Sequence, residues 1–158
     1  IDYRIRNDSE KEMPFTFGLH PGFNVLNFED SYLKYEKKEV VKQIVFNDGS
    51  LYEKDVMLDK WQLSYEDVKK YQTIIYKGLE SKYVKLVLKD YTVKMGIEGF
   101  PYFAIWTSDD EAMFICLEPW YGHGDLEKVE ADFKDREGMM SLKPKEVFET
   151  GYSIELIK

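Results

Sequence analysis

At 158 residues the chain is long enough for one domain with a real core. Its formal charge of −8, with acids and bases interspersed, offers no basic face for nucleic acid or for an anionic membrane surface. No apolar run approaches the roughly 18 residues of a membrane span, and the single cysteine, Cys116, excludes an intrachain disulfide, so a cytoplasmic protein is the simplest reading.

The aromatic content of 16% favours strands over helices. Residues 1–6 alternate as a strand from the first position onward, with no lead-in, so sheet neighbours are expected from an upstream segment. Asn7 to Lys11 is a polar link, and Met13 to Phe17 resumes extended structure, which predicts a hairpin with residues 1–6. Along this second strand Phe15, Phe17 and Leu19 share one face, while Thr16, Gly18 and His20 share the other. A lone histidine is by default a hydrogen-bonded structural residue. Here Gly18 leaves open space on one side and a Pro21-Gly22 turn follows on the other, which weighs toward a site.

Residues 31–37 and 40–47 read as two strands, followed by a turn over Asn47-Asp48-Gly49-Ser50. Residues 51–63 carry no decisive period. Ser64 followed by Asp67 resembles a helix N-cap pair, which predicts a short helix from Tyr65 to Tyr71. Strands are then predicted over Thr73–Tyr76, Lys82–Leu88, Tyr91–Glu98, Pro101–Thr107 and Ala112–Glu118, three consecutive strands with short turns making an antiparallel meander. Residues 125–137 are charge-rich and read as a loop or one short helix, and Met139–Leu142 and Val147–Ile157 close the chain as strands. The predicted class is all-β, an antiparallel β-sandwich, in one domain over residues 1–158.

The segment from Phe114 to Asp125 organises the functional reading. An apolar run suited to a buried strand delivers Glu118 at its end, and Phe114, Cys116 and Glu118 share a face. Pro119 cannot donate to a ladder, so regular pairing is expected to stop there. Trp120, Tyr121 and a Gly-His-Gly-Asp loop follow. A strand carrying one acid to an aromatic-lined exit has the composition of a pocket wall; the bland alternative is a solvated Glu at a strand end. Cys116, inside the apolar run, reads as a core residue rather than a nucleophile.

Two stretches then match a known pattern. Phe15-Thr16-Phe17-Gly18-Leu19-His20-Pro21-Gly22-Phe23-Asn24 resembles the FGLHPxFN motif of bacterial aldose 1-epimerase-like proteins, in the LacX-like branch of the galactose mutarotase superfamily. Phe100 to Thr107 and Cys116-Leu117-Glu118-Pro119-Trp120 resemble a second block, and Leu142-Lys143-Pro144-Lys145-Glu146 resembles an LxPGE turn. The matches follow the family's order over nearly the whole chain. The resemblance implies a large antiparallel supersandwich about twice this chain's length, of which this chain would be the C-terminal half. It implies interconversion of the α and β anomers of a free sugar, without cofactor or metal. By motif match, His20 would be the acid that protonates the ring oxygen. Glu118 would be the base that takes the anomeric hydroxyl proton. Asn24 would contact the sugar, with Gln72 where many relatives carry a sugar-binding Asp; Trp106 and Trp120 offer an apolar face to the C–H side of a sugar, with core packing as the alternative for each.

The chemistry requires one proton donor and one acceptor on either side of a pyranose edge. His20 and Glu118 are therefore expected on one surface, on the order of 5–8 Å apart. Two other readings stand beside the epimerase. A non-catalytic carbohydrate-binding or regulatory domain is favoured by Gln72. A hexose-phosphate epimerase would need a cationic phosphate site, for which only Lys128 and Arg136 are near. The expected partners are a small-molecule sugar and, for the open sheet edge, the missing N-terminal half or a second chain.

Overall fold

The computed structural model describes residues 1–47, 50–71, 73–108, 112–125 and 130–158. Strands run over Asp2–Arg6 (β1), Met13–Phe15 (β2), Gly22–Asn24 (β3), Tyr32–Asn47 (β4), Ser50–Gln62 (β5), Thr73–Lys77 (β6) and Tyr83–Val87 (β7). They continue over Thr92–Gly96 (β8), Tyr102–Trp106 (β9), Phe114–Trp120 (β10), Met140–Leu142 (β11), Val147–Gly151 (β12) and Ile154–Ile157 (β13). A helix at Tyr65–Tyr71 (α1) and a 3-10 turn at Phe133–Asp135 are the helical elements among the described residues. The class is all-β and antiparallel, as expected.

Among the described residues, nine strands form one curled sheet. Its order is β13-β8-β7-β4-β6-β9-β10-β3, with β5 alongside β4. Alternation explains the outer strands: Val84 and Leu86 of β7, and Val93 and Met95 of β8, point into the main core, while their neighbours are half-exposed. The central strands β9 and β10 are buried on both faces, which is why they read as unbroken apolar runs. One face of β10 sends Ile115 and Leu117 into the main core with Phe103, Ile105 and Val25. The other face carries a smaller cluster of Ile44, Ile75, Tyr102 and Ala104, with Trp120 packed against it. Ser64 caps α1, its Oγ accepting from Asp67 N–H at 3.3 Å, as the sequence pattern predicts.

Several expectations are corrected. Residues 1–6 and 13–17 form no hairpin: β1 pairs with β12 and β2 with β11, so long-range partners replace the local one. The two strands expected between residues 31 and 47 are one strand, β4, whose pairing with β5 shifts register between Lys34 and Glu39. Residues 51–63, ambiguous in sequence, form β5, the return arm of that hairpin. The meander is interrupted because β8 pairs with β7 and β13, while β9 lies between β6 and β10. Val147–Ile157 divides into β12 and β13.

The turn after β11 is present, with Glu146 N–H donating to Lys143 O at 3.0 Å. Lys145 adopts φ 65° where the family pattern has Gly, and its N–H donates to Asn7 O at 2.8 Å. The edge strand β13 leaves Leu156 69% exposed, and Val40 and Met57 are exposed on the long hairpin. No helix among the described residues is long and apolar enough to cross a membrane.

Candidate active site

The site is made by the residues that lead into β3. They continue its line along β10: Phe17 O accepts from Tyr121 N–H at 2.8 Å, and Gly18 bridges to Trp120. Leu19 N–H donates to Pro119 O at 3.1 Å, and Leu117 N–H donates to Pro21 O at 3.1 Å. With Gly22 opposite Cys116 and Asn24 opposite Phe114, one unbroken register runs along the edge and sets His20 directly across from Glu118. The pair falls between two hydrogen-bonded positions, where opposed Cα atoms approach to about 4.5 Å and side chains meet most closely.

The expected stop at Pro119 is thereby corrected. The strand continues to Trp120, with Pro119 opposite Phe103. Proline removes the N–H that Leu19 O would receive, and the Trp120 indole N–H donates to that carbonyl instead, at 3.1 Å. Gly18 is also not open. A Cβ there would lie 2.7 Å from Trp120 Cδ1, so the indole occupies the space that the glycine provides. Pro21-Gly22 runs extended into β3 rather than turning.

His20 Nε2 lies 3.2 Å from Glu118 Oε1. The two share one surface as expected, but they touch, correcting the anticipated gap of about 5–8 Å. Their environments are opposite: the Glu118 side chain is 1% exposed and that of His20 is 59% exposed. Glu118 stands opposite Ala104 on β9, which in turn stands opposite Ile75 of β6, so the carboxylate is buried beside the smaller apolar cluster. Burial pushes its carboxyl up to about 7, against the opposing pull of His20 and the Trp120 N–H. The His20 contact is not aligned as a hydrogen bond, which leaves Oε1 buried without a hydrogen-bond partner. The Trp106 ring packs edge-on to His20 at 5.5 Å between centroids, and Phe114 lies 5.8 Å beyond it.

A second polar group borders the first and was not singled out from the sequence. Trp120 and His123 line one cleft of about 180 Å³ together with Gly18, Leu19 and His20. Behind that cleft, His123 Nε2 is 3.9 Å from Glu137 Oε2, and its ring meets Tyr102 edge-on at 5.0 Å. Glu137 accepts from Lys77 Nζ at 2.6 Å and from Tyr102 O–H at 2.9 Å. These contacts, Lys77's first, hold its carboxyl below the usual range, while burial pushes Tyr102 up to about 12. The close approach that brings the two loops together needs glycine on both sides. A Cβ on Gly138 would lie 2.5 Å from Gly122 Cα. Residues 125–137 read in sequence as a solvated surface, and nothing local signalled that Glu137 returns to Lys77 and Tyr102 on the sheet.

His20, Glu118, Trp106 and Trp120 are thus gathered in one place. Asn24 is not. It lies four residues along the edge from His20, on the order of 13 Å away, and lines a different cavity of about 250 Å³ with Leu26, Asn27 and Tyr91. The short β3 continues straight rather than folding Asn24 back over the pair. Gln72 and Lys128 lie outside the described residues. Arg136, considered for a phosphate, is paired with Asp125.

Comparison with known proteins gives the family. The family model for aldose 1-epimerase matches residues 1–142. The chain belongs to the aldose 1-epimerase family. Two solved structures resemble it over almost all of its length. A galactose mutarotase related enzyme from Lactobacillus acidophilus shares 26% identity at a TM-score of 0.87, covering 99% of this chain and 56% of that one. A galactose mutarotase-like protein from Lactobacillus casei shares 25% identity at a TM-score of 0.82, covering 98% and 57%. A galactose mutarotase-like protein from Clostridium acetobutylicum, at 16% identity and a TM-score of 0.65, shares the fold over 98% of this chain and 51% of its own. No match emerges among curated proteins. The chain spans little more than half the length of these solved relatives, in keeping with the extent expected from the motifs.

Proposed function

We propose that this chain carries the acid–base pair of an aldose 1-epimerase acting on a hexose or related sugar. The observation that carries the reading is the in-register pairing of an exposed His20 with a buried Glu118 at 3.2 Å, beside two tryptophans. Glu118 as carboxylate takes the proton of the O1 hydroxyl. His20 as imidazolium gives its ring proton to O5, the C1–O5 bond breaks, and C1=O1 forms. Rotation about C1–C2 and the reverse transfers close the ring on the other face. A carboxyl raised toward neutrality is a stronger base than an exposed one, which suits proton abstraction near pH 7. To admit a sugar the pair must part by about 2–5 Å. His20, on the exposed edge, is the member free to move; Glu118 is held by the sheet. Trp106 and Trp120 would offer apolar surface to the C–H side of the ring.

The contact itself favours a second reading. A pair already closed on itself, with Gln72 in place of the family's Asp, would suit a carbohydrate-binding or regulatory domain that retains the fold without turnover. Under either reading, we take the exposed apolar residues on β13 and the long hairpin as the surface packed by the remainder of a full-length protein or a second chain. Polarimetry of freshly dissolved α-glucose and α-galactose separates the two. Acceleration that is lost in Glu118→Gln supports the epimerase, whereas sugar binding with no acceleration supports the binder.

A further inference from the structure

We propose that His20, Cys116 and Glu118 form a binding site for a thiophilic divalent cation of the Zn²⁺ type. Cys116 and Glu118 are two residues apart on one face of β10, and His20 faces Glu118 from the neighbouring edge. A ring nitrogen, the thiol sulfur and a carboxylate oxygen consequently lie within 4.8 Å of one another. Tetrahedral zinc, with metal–ligand distances of about 2.0–2.3 Å, sets its ligands roughly 3.3–3.7 Å apart. The His20–Glu118 separation of 3.2 Å is already close to that spacing, and the exposed His20 ring can supply the remaining adjustment. Cys116 is buried, and Gly22 opposite it leaves room beside Sγ: a Cβ there would sit at ordinary contact distance, 3.6 Å away.

A second, independent feature points to a ligand: Glu118 Oε1 is buried without a hydrogen-bond partner, and a metal would satisfy it. A mixed imidazole, thiolate and carboxylate set selects zinc or cobalt over magnesium or calcium, which prefer all-oxygen shells. As the S–metal bond forms, the thiol proton passes to solvent, and the exposed side of His20 leaves a fourth position for water. Resting on the epimerase reading, an ion here would also occupy both the proton donor and the acceptor, and so stop ring opening.

Cobalt supplies the test. Co²⁺ is titrated into the purified, chelator-treated protein while absorbance is followed. A thiolate-to-cobalt band that saturates at one equivalent and is bleached by Zn²⁺ is the expected result. Cys116→Ser should abolish the band, and Glu118→Gln should weaken binding tenfold or more. No band in the wild-type protein, or a band that persists in Cys116→Ser, overturns the site. Should Cys116→Ser fail to fold, His20→Ala on the exposed edge decides: a tenfold weaker Co²⁺ affinity supports the site, and an unchanged affinity overturns it. In mutarotation assays Zn²⁺ should inhibit the wild type reversibly and inhibit Cys116→Ser at least tenfold less. The cobalt signal in a protein with no turnover would overturn the epimerase reading while supporting the site.

Discussion

Both histidines of the chain face a glutamate, and the two pairs are electrostatic opposites. At His20–Glu118 the acid is buried and the histidine is in solvent. At His123–Glu137 the histidine is 9% exposed and the acid 53% exposed. Glu137 is ringed by donors, Lys77 and Tyr102, and its charge is favoured. Glu118 has apolar neighbours and an unaligned histidine, and its charge is disfavoured. The same two residue types therefore yield a carboxyl raised by burial in one place and a satisfied anion in the other. Environment, rather than identity, assigns the chemistry.

The widest separation should appear in turnover. Glu118→Gln keeps the shape but cannot accept a proton, and mutarotation measured by polarimetry should slow by about 100-fold or more. Glu137→Gln should stay within about tenfold, because Glu137 holds Lys77 and Tyr102 rather than a reacting proton. Equal losses in the two variants would erase the contrast. The pH profile is the next measure. Since burial pushes the Glu118 carboxyl up to about 7, the carboxylate that the proposed mechanism uses as its base is lost as pH falls through that value. kcat/KM should drop about tenfold per unit on the acid side, beginning near pH 7 rather than near 4. Glu137→Gln should leave that limb where it is.

The contrast also marks how far the sequence could be read. Strand alternation from Phe15 to Leu19 correctly placed His20 on the face opposite the aromatics, and the apolar run before Glu118 correctly announced a buried strand. The register that presses His20 onto Glu118 was not legible. It depends on a ladder between segments about a hundred residues apart and on an indole that stands in for the missing proline N–H. Local pattern reports which face a side chain takes, not which strand lies beside it. For the same reason the partners of β1 and β2 were misjudged, and Asn24 was grouped with a site that lies about four residues away along a straight edge. The His123–Glu137 pair was missed because it joins two loops through a Gly122–Gly138 contact that has no periodic signature.

Stability should separate the two acids in sign as well as size. The folded-state pKa of Glu118, about 7, lies above the unfolded value of about 4.3. Between those values the native state holds more protons than the unfolded one, so this group's contribution falls as pH rises and its cost is complete above pH 7. Glu118→Gln removes the ionisation and should raise stability at pH 8 by on the order of 1–3 kcal/mol, with the gain vanishing near pH 4. Glu137 is shifted the other way: its contribution is present above the unfolded pKa and is lost as pH falls through the depressed folded value. Being half exposed, it should cost no more than about 1 kcal/mol when replaced by Gln at pH 8. Urea titrations of both variants at pH 4 and 8 give the comparison directly.

The smallest effect tests the packing of the indole that both histidines share a cleft with. Trp120 lines one cleft with His20 and His123, and its indole rests on Gly18. Gly18→Ala would put a methyl 2.7 Å from Cδ1, closer than any ordinary contact, so the ring must shift. The shift would pull the indole N–H from Leu19 O, a carbonyl that Pro119 cannot satisfy. The expected cost is about 1–2 kcal/mol, from one strained contact and one lost hydrogen bond. Trp120→Phe removes the same N–H without adding a methyl, and should cost about 1 kcal/mol at that carbonyl, apart from the packing lost with the larger ring. If both act through Leu19 O, the double variant should fall short of the sum of the singles by at least about 0.5 kcal/mol. Strict additivity in urea unfolding would show that Gly18→Ala is absorbed elsewhere, and that the indole holds its place without that glycine.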